Sequence, residues 1–205
     1  MDFKQIIGQT HIVNYLKHTV DQKRVSHAQL FVGKEGVGTL QMAIAYAAYL
    51  ICKNSLNSEI CTRKCKKLEH PDLHFAFPVA ANKVVKKHPV SALFLSEWRK
   101  FILENPFAGL FDWYKAIDIE NKQGKIGVDE AQAIIRALKL TPYEGSYKVM
   151  IIWMPEKMNI AASNKLLKLI EEPPQNTVLL LVTENEEQII STIRSRCQVL
   201  YFNNL

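Results

Sequence analysis

Long hydrophobic runs are missing from this sequence. No stretch of about 18 apolar residues occurs, so an ordinary membrane-spanning helix is excluded. The opening residues, Met1-Asp2-Phe3-Lys4-Gln5, lack the basic-then-apolar order of a secretion signal. The expected location is therefore cytoplasmic, with no membrane partner. Cysteine is scarce, at four in 205 residues. Without a secretion signal these are expected as free thiols or metal ligands rather than disulfides. Internal repeats and long disordered tracts are absent. What remains is 48% hydrophobic and 22% charged, enough for the core of one large domain, or one domain with an insert. Acidic residues are the minority, which leaves a net charge of +6. That balance is compatible with a nearby polyanion such as DNA, and equally with an ordinary basic protein.

The most consequential absence is a lysine. Residues 29–40 read Gln-Leu-Phe-Val-Gly-Lys-Glu-Gly-Val-Gly-Thr-Leu. A short buried strand, a glycine turn and an apolar helix reaching about Cys52 are the frame of a phosphate-binding loop, G-x-x-x-x-G-K-[ST]. With Gly33 and Gly38 on the motif glycines and Gly36 between them, Thr39 falls where the lysine belongs. Leu40 falls where the Mg²⁺-holding hydroxyl belongs. Backbone N–H groups and the helix N-terminus can still cradle an anion. No point charge reaches the outer phosphates, and Leu40 cannot ligate a metal. The loop reads either as a degenerate nucleotide site or as a turn that only packs strand against helix, and the second reading is adopted. Lys34, at the start of the loop, is a poor substitute for the missing residue.

Elsewhere strands and helices alternate, which predicts an α/β fold with a mostly parallel central sheet flanked by helices. Ile12, Val13, Leu16 and Val20 predict an amphipathic helix over residues 10–22. Residues 147–153 and 177–183 are nearly continuous apolar runs, as expected of parallel strands covered on both faces. Residues 72–77 and 198–202 are shorter strands. Helices are predicted over 91–104, 128–138, 159–172 and 189–194. Residues 52–70 read as a polar, lysine-rich excursion with little apolar periodicity. The segment 82–125 combines a basic loop (Lys83, Lys86, Lys87) with a helix carrying Trp98, Phe101 and Ile102 on one face. That stripe is expected to be core or a subunit contact rather than a base-stacking platform. The lysines are expected to be solvated rather than to touch DNA.

In order along the chain stand Ile7-Gly8-Gln9, His27-Ala28, Leu30-Phe31-Val32-Gly33, His70-Pro71-Asp72 and Tyr147-Lys148-Val149. They are followed by Asn164-Lys165-Leu166-Leu167-Lys168, Glu171-Glu172-Pro173-Pro174 and Thr192-Ile193-Arg194-Ser195-Arg196-Cys197. Each is weak alone. Together, in this order, they resemble bacterial clamp-loader subunits of the AAA+ class, most closely the delta-prime type of DNA polymerase III. The resemblance implies a RecA-like AAA+ P-loop domain over 1–205, with a degenerate zinc-module insert at 52–70 and a helical, basic insertion at 82–125. The lid and collar domains of longer relatives are expected to be absent, leaving an isolated fragment that is a monomer. Implied partners are ATPase subunits of the gamma/tau type, a delta-type subunit, the sliding clamp and primer–template DNA.

The same resemblance assigns roles. ATPases of this class end the strand at 148–152 with Asp-Glu, the first for the metal and the second to activate water. Here Trp153 and Met154 stand there, and neither can do that chemistry. Losses in both halves of the site imply no hydrolysis and no tight ATP binding. Glu156, two residues late and beyond Pro155, is read as a helix-start residue, and Thr183 as a strand-end hydroxyl near the first sensor position. Ser195-Arg196-Cys197 matches the motif whose arginine points at a neighbour's ATP. A guanidinium offers fixed donors and a permanent charge, which suits a γ-phosphate in transfer. Arg196 is thus the candidate arginine finger acting in trans, flanked by Ser195 and Cys197, with Arg194 the weaker alternative.

Relatives also hold zinc through C-x8-C-x2-C-x2-C. Cys52 and Cys61 keep the first spacing, Lys64 and Lys67 occupy the other two positions, and Cys65 is out of step. His70 is only a distant fourth donor and is read as part of the structural His-Pro-Asp turn. The expectation is that zinc is lost and no cofactor is held, with a bound zinc as the open alternative. Two rival functions stay in view. One is an ATPase with a divergent loop using Lys34. The other is a DNA-binding module built on the cysteine loop and the basic segment.

Overall fold

The computed structural model describes residues 3–203, so the reading of Met1 and Asp2 and the outermost ends of the 1–205 domain lie outside it. Its centre is made by β3 (Lys148–Trp153) and β4 (Thr177–Thr183), every residue of which is buried. β1 (Ala28–Val32) pairs with β4 on one side and β5 (Gln198–Tyr201) on the other, and β2 (Leu73–Ala76) lies outside β3. The order is β2-β3-β4-β1-β5 and every pairing is parallel. Continuous apolar strands are what such a sheet needs, because helices cover both of its faces.

The period of two sorts the side chains between two cores. Val149, Ile151 and Trp153 pack into one together with Phe31, Val178, Leu180 and Val182. Met150, Ile152, Leu30, Leu179 and Leu181 pack into the other. The first core is closed by α1 (Thr10–Asp21), α2 (Thr39–Cys52), α3 (Ser58–Lys66), α4 (Leu95–Glu104) and α5 (Leu110–Ala116). The second is closed by α6 (Val128–Leu138), α7 (Ile160–Glu171) and the short α8 (Ser191–Arg194). Alanines 43, 45 and 47 of α2 are fully or almost fully buried, so that helix lies tight against the sheet.

Residues 82–125 are anchored through aromatic rings. Trp98 of α4 is fully buried and stacks on Phe77 at 4.2 Å between ring centres, with Trp113 of α5 edge-on at 5.1 Å and Trp153 at 5.3 Å. Trp113 donates its indole N–H to the Pro78 carbonyl at 2.9 Å, satisfying the one polar atom on the ring. Trp98, Phe101 and Ile102 are thus core. Lys83, Lys86 and Lys87 are exposed.

Residues 58–66 depart from the expected polar excursion by forming α3. Its buried positions are Cys61 and Cys65, four apart, while Arg63 and Lys66 face solvent. Two thiols at helical spacing carry the burial, and they are easily missed when only aliphatic and aromatic residues are counted. The basic residues gather in the last turn, where they suit the helix dipole. His70-Pro71-Asp72 forms the turn into β2. Buried Asp72 accepts three consecutive backbone N–H bonds, from Tyr143, Glu144 and Gly145, at 2.6–2.8 Å. This ties the entry of β2 to the entry of β3.

Candidate functional site

The glycine loop joins the end of β1 to the start of α2. Gly36 and Gly38 have φ of +83° and +85°, a region that penalises any Cβ, so the turn depends on both glycines. Its interior is filled by the chain itself. Val37, Thr39 and Leu40 are buried, with the γ-methyls of Val37 and Thr39 crowding against Gly33. Lys34 is exposed at the rim. The 82–125 segment closes on the loop from outside. Phe107 lies against Gly38, and the Glu35 carboxylate packs on Gly109. A largely apolar cavity of about 440 Å³ remains beside them, bounded by Ile6, Ile7, Val37, Leu103 and Phe107.

Parallel pairing brings the ends of β3 and β4 alongside the loop. The Gly33 N–H donates to the Thr183 carbonyl at 3.1 Å, and that of Met154 donates to the Val182 carbonyl at 2.9 Å. Trp153 and Met154, where β3 ends, are 4% and 3% exposed. Both belong to the aromatic core, and Met154 turns the chain with φ +56°. Glu156 lies in the first turn of a short 3-10 helix, Pro155–Lys157. Its Oε1 accepts from the Glu184 N–H at 3.4 Å. Burial pushes its pKa above the usual carboxylate range. Glu184 is pushed up too, by burial and then by the charges of Glu35 and Glu156. Glu35 and Glu156 thus lie close enough to Glu184 for their charges to act on it, and like charge disfavours a polyanion among them. Sequence reading missed this group, although Glu35 inside the loop was a visible signal.

Arg196 lies elsewhere. It comes two residues before β5, so it sits at the N-terminal end of the parallel strands, while the glycine loop is at their C-terminal ends. Arg196 is exposed and Ser195 beside it is exposed, donating its hydroxyl to the Thr192 carbonyl at 3.3 Å. Cys197 turns inward against the second core, and burial pushes its thiol up to about 11. Arg194 is exposed at the end of α8.

The segment from Cys52 to Cys65 brings three sulfurs together, with Cys52, Cys61 and Cys65 within 4.8 Å of one another and all buried. The expectation of free thiols fails at two of them, because Cys52 and Cys61 form a disulfide. The reason is tertiary: α2 ends at Cys52 and α3 folds back against it, leaving their Cα atoms 5.6 Å apart. Cys65 stays a thiol 3.7 Å from Cys52, pushed up to about 12 by burial. No fourth His, Cys, Asp or Glu joins the cluster among the described residues. Lys64 instead pairs with Glu144 at 2.6 Å, and His70 accepts the Asp72 N–H at 3.1 Å within its own turn. Structural zinc takes four donors. A disulfide and one thiol do not fit it.

The family described as "DNA polymerase III, delta subunit" matches residues 8–205. The DNA polymerase III subunit delta' of Bacillus subtilis (strain 168) is 30% identical over 202 residues, covering 96% of this chain and 48% of that protein. The chain belongs to the delta-prime family of clamp-loader subunits. This family member also resembles the subunit tau of the same organism, 30% identical over 203 residues, covering 99% of the chain and 29% of tau. It therefore spans half or less of these relatives' length. A solved DNA polymerase III gamma subunit-related protein from Thermotoga maritima superposes with a TM-score of 0.52 at 16% identity, covering 93% of this chain and 46% of that one. The fold is that of RecA-like AAA+ domains. No helix among the described residues is long and apolar enough to cross a membrane.

Proposed function

We propose that this delta-prime family member is a non-catalytic part of a clamp loader: it hydrolyses no ATP itself and lends Arg196 to ATP held by a neighbouring subunit. One observation carries the reading. The exposed arginine of the Ser-Arg-Cys motif and the chain's own glycine loop lie at opposite ends of the sheet, so the arginine cannot serve that loop. The buried Trp153 and Met154 and the glutamates around the loop support the absence of hydrolysis. Proposed partners are an adjacent ATPase subunit of the gamma/tau type and a delta-type subunit. The sliding clamp and primed DNA are the proposed substrates of the assembled ring. The cysteine insert is proposed to hold no zinc, and the 52–70 and 82–125 segments to be insertions in a single domain.

Two measurements test this. Calorimetry with ATP–Mg²⁺ is expected to show no tight binding to this chain. Arg196→Ala is expected to leave the fold intact and lower ATP turnover by the assembled loader. Unchanged turnover and clamp loading would remove the arginine's assigned role. ATP hydrolysis by the chain alone, lost on Lys34→Ala, would replace this reading with that of a divergent ATPase.

A further inference from the structure

Arg196 is exposed, yet its guanidinium is held. Its Nε–H donates to Oε1 of Glu171 at 2.5 Å. Its Nη1 donates to the Thr192 carbonyl at 2.8 Å and reaches the Ser195 hydroxyl at 3.4 Å. Glu171 is the last residue of α7 and Thr192 lies in α8, so two helices that pack on each other grip one edge of the planar group. No hydrogen bond occupies Nη2 among the described residues.

We propose that Glu171 is a positioning residue for Arg196. It fixes the guanidinium plane through Nε and leaves Nη2 to meet a phosphate presented by the neighbouring subunit. This rests on the reading of Arg196 as a finger acting in trans. A free arginine loses much rotamer freedom when it docks, and a held one has already lost it, so the approach to the transition state costs less. Glu171 is not needed to keep the arginine charged, because a guanidinium is ionised at any working pH. Its own negative charge weakens phosphate binding slightly, an effect damped by solvent because both side chains are partly exposed. Orientation outweighs that repulsion, which gives the test its sign.

The test uses the full-length subunit reconstituted with the ATPase subunits of its own loader, the clamp and primed DNA. The readout is the part of ATP turnover that Arg196→Ala removes. Glu171→Ala is expected to lower kcat for that part by about tenfold, the worth of one oriented charge-assisted hydrogen bond, with KM for ATP nearly unchanged. Glu171→Gln, which still accepts the Nε–H, is expected to recover most of the loss. In an Arg196→Ala background, Glu171→Ala is expected to change nothing further. Unchanged or faster turnover in Glu171→Ala, beside a clear loss in Arg196→Ala, overturns the positioning role. So does an additional loss in the double variant, which would place the effect in the fold. If Arg196→Ala itself has no effect, the finger reading fails instead. Thermal melts of each variant accompany the assay, and the half-exposed Glu171 is expected to leave them unmoved.

Discussion

A Cβ added to Gly33 would stand 2.9 Å from the Cβ of Phe202, a residue nearly 170 positions away at the end of β5, and 2.7 Å from the γ-methyls of Val37 and Thr39. The space under the glycine loop is thus taken by the chain's own side chains. Gly33→Ala is expected to destabilise the fold by about 1–3 kcal/mol through overpacking, seen as a lower urea midpoint at unchanged slope. An unshifted midpoint would mean that the loop has slack, and the picture of a filled loop would fall.

Trp153 has a similar consequence. The clamp-loader resemblance aligns it with an ATPase's metal-binding aspartate, but it is buried against Trp98. Trp153→Asp removes a large core side chain and buries a charge without a partner, at a cost of about 3–5 kcal/mol or more. The variant is expected to unfold far earlier on heating and to gain no ATP hydrolysis. A stable Trp153→Asp protein would show that this position is not core.

Glu130 predicts a pH dependence. It is 4% exposed, burial pushes its carboxyl up to about 7, and the Ser91 N–H bond offsets only part of that rise. His74 and Arg99 line the same small cavity. A raised carboxylate pKa means that the folded state holds a proton the unfolded chain has released. Stability from this group is full below the unfolded value near 4.5 and is lost as pH rises through about 7. Urea midpoints are expected to fall between pH 5 and pH 8. Glu130→Gln, whose amide oxygen still accepts from Ser91, is expected to flatten that slope. An equally steep slope in the variant would assign it to other groups.

The cysteines make a compositional test. Denatured, unreduced protein is expected to titrate two thiols, Cys65 and Cys197, with Cys52 and Cys61 joined. Reducing that bond releases a short loop and is expected to cost about 2–3 kcal/mol. Purified protein is expected to carry little zinc. About one zinc per chain, with all four thiols titrating after its removal, would restore the metal reading.

Much of the sheet was readable along the chain. Residues 148–153 and 177–183 carry apolar side chains on both faces, and only a covered parallel sheet uses such a pattern. The helices at Thr10–Asp21 and Val128–Leu138 announced themselves by their apolar stripes. α3 did not, because its buried positions are cysteines. Nor did α5, which owes its place to Trp113 meeting Trp98. A ring's partner across 15 residues leaves no local periodic trace.

For the candidate site, the sequence by itself determined what chemistry is missing. Thr39 is not a lysine, Leu40 carries no hydroxyl, and Trp153 and Met154 carry no carboxylate, so no fold can give those positions an ammonium, a hydroxyl or a pair of acids. Tertiary structure decided the rest. It filled the glycine loop from Phe202, laid Phe107 and Gly109 over it, and gathered Glu35, Glu156 and Glu184 at its mouth. It joined Cys52 to Cys61, and it held Arg196 on Glu171 at the far end of the sheet. Each of these depends on distances between segments remote in sequence. Parallel pairing and helix packing set such distances, and neighbouring residues do not.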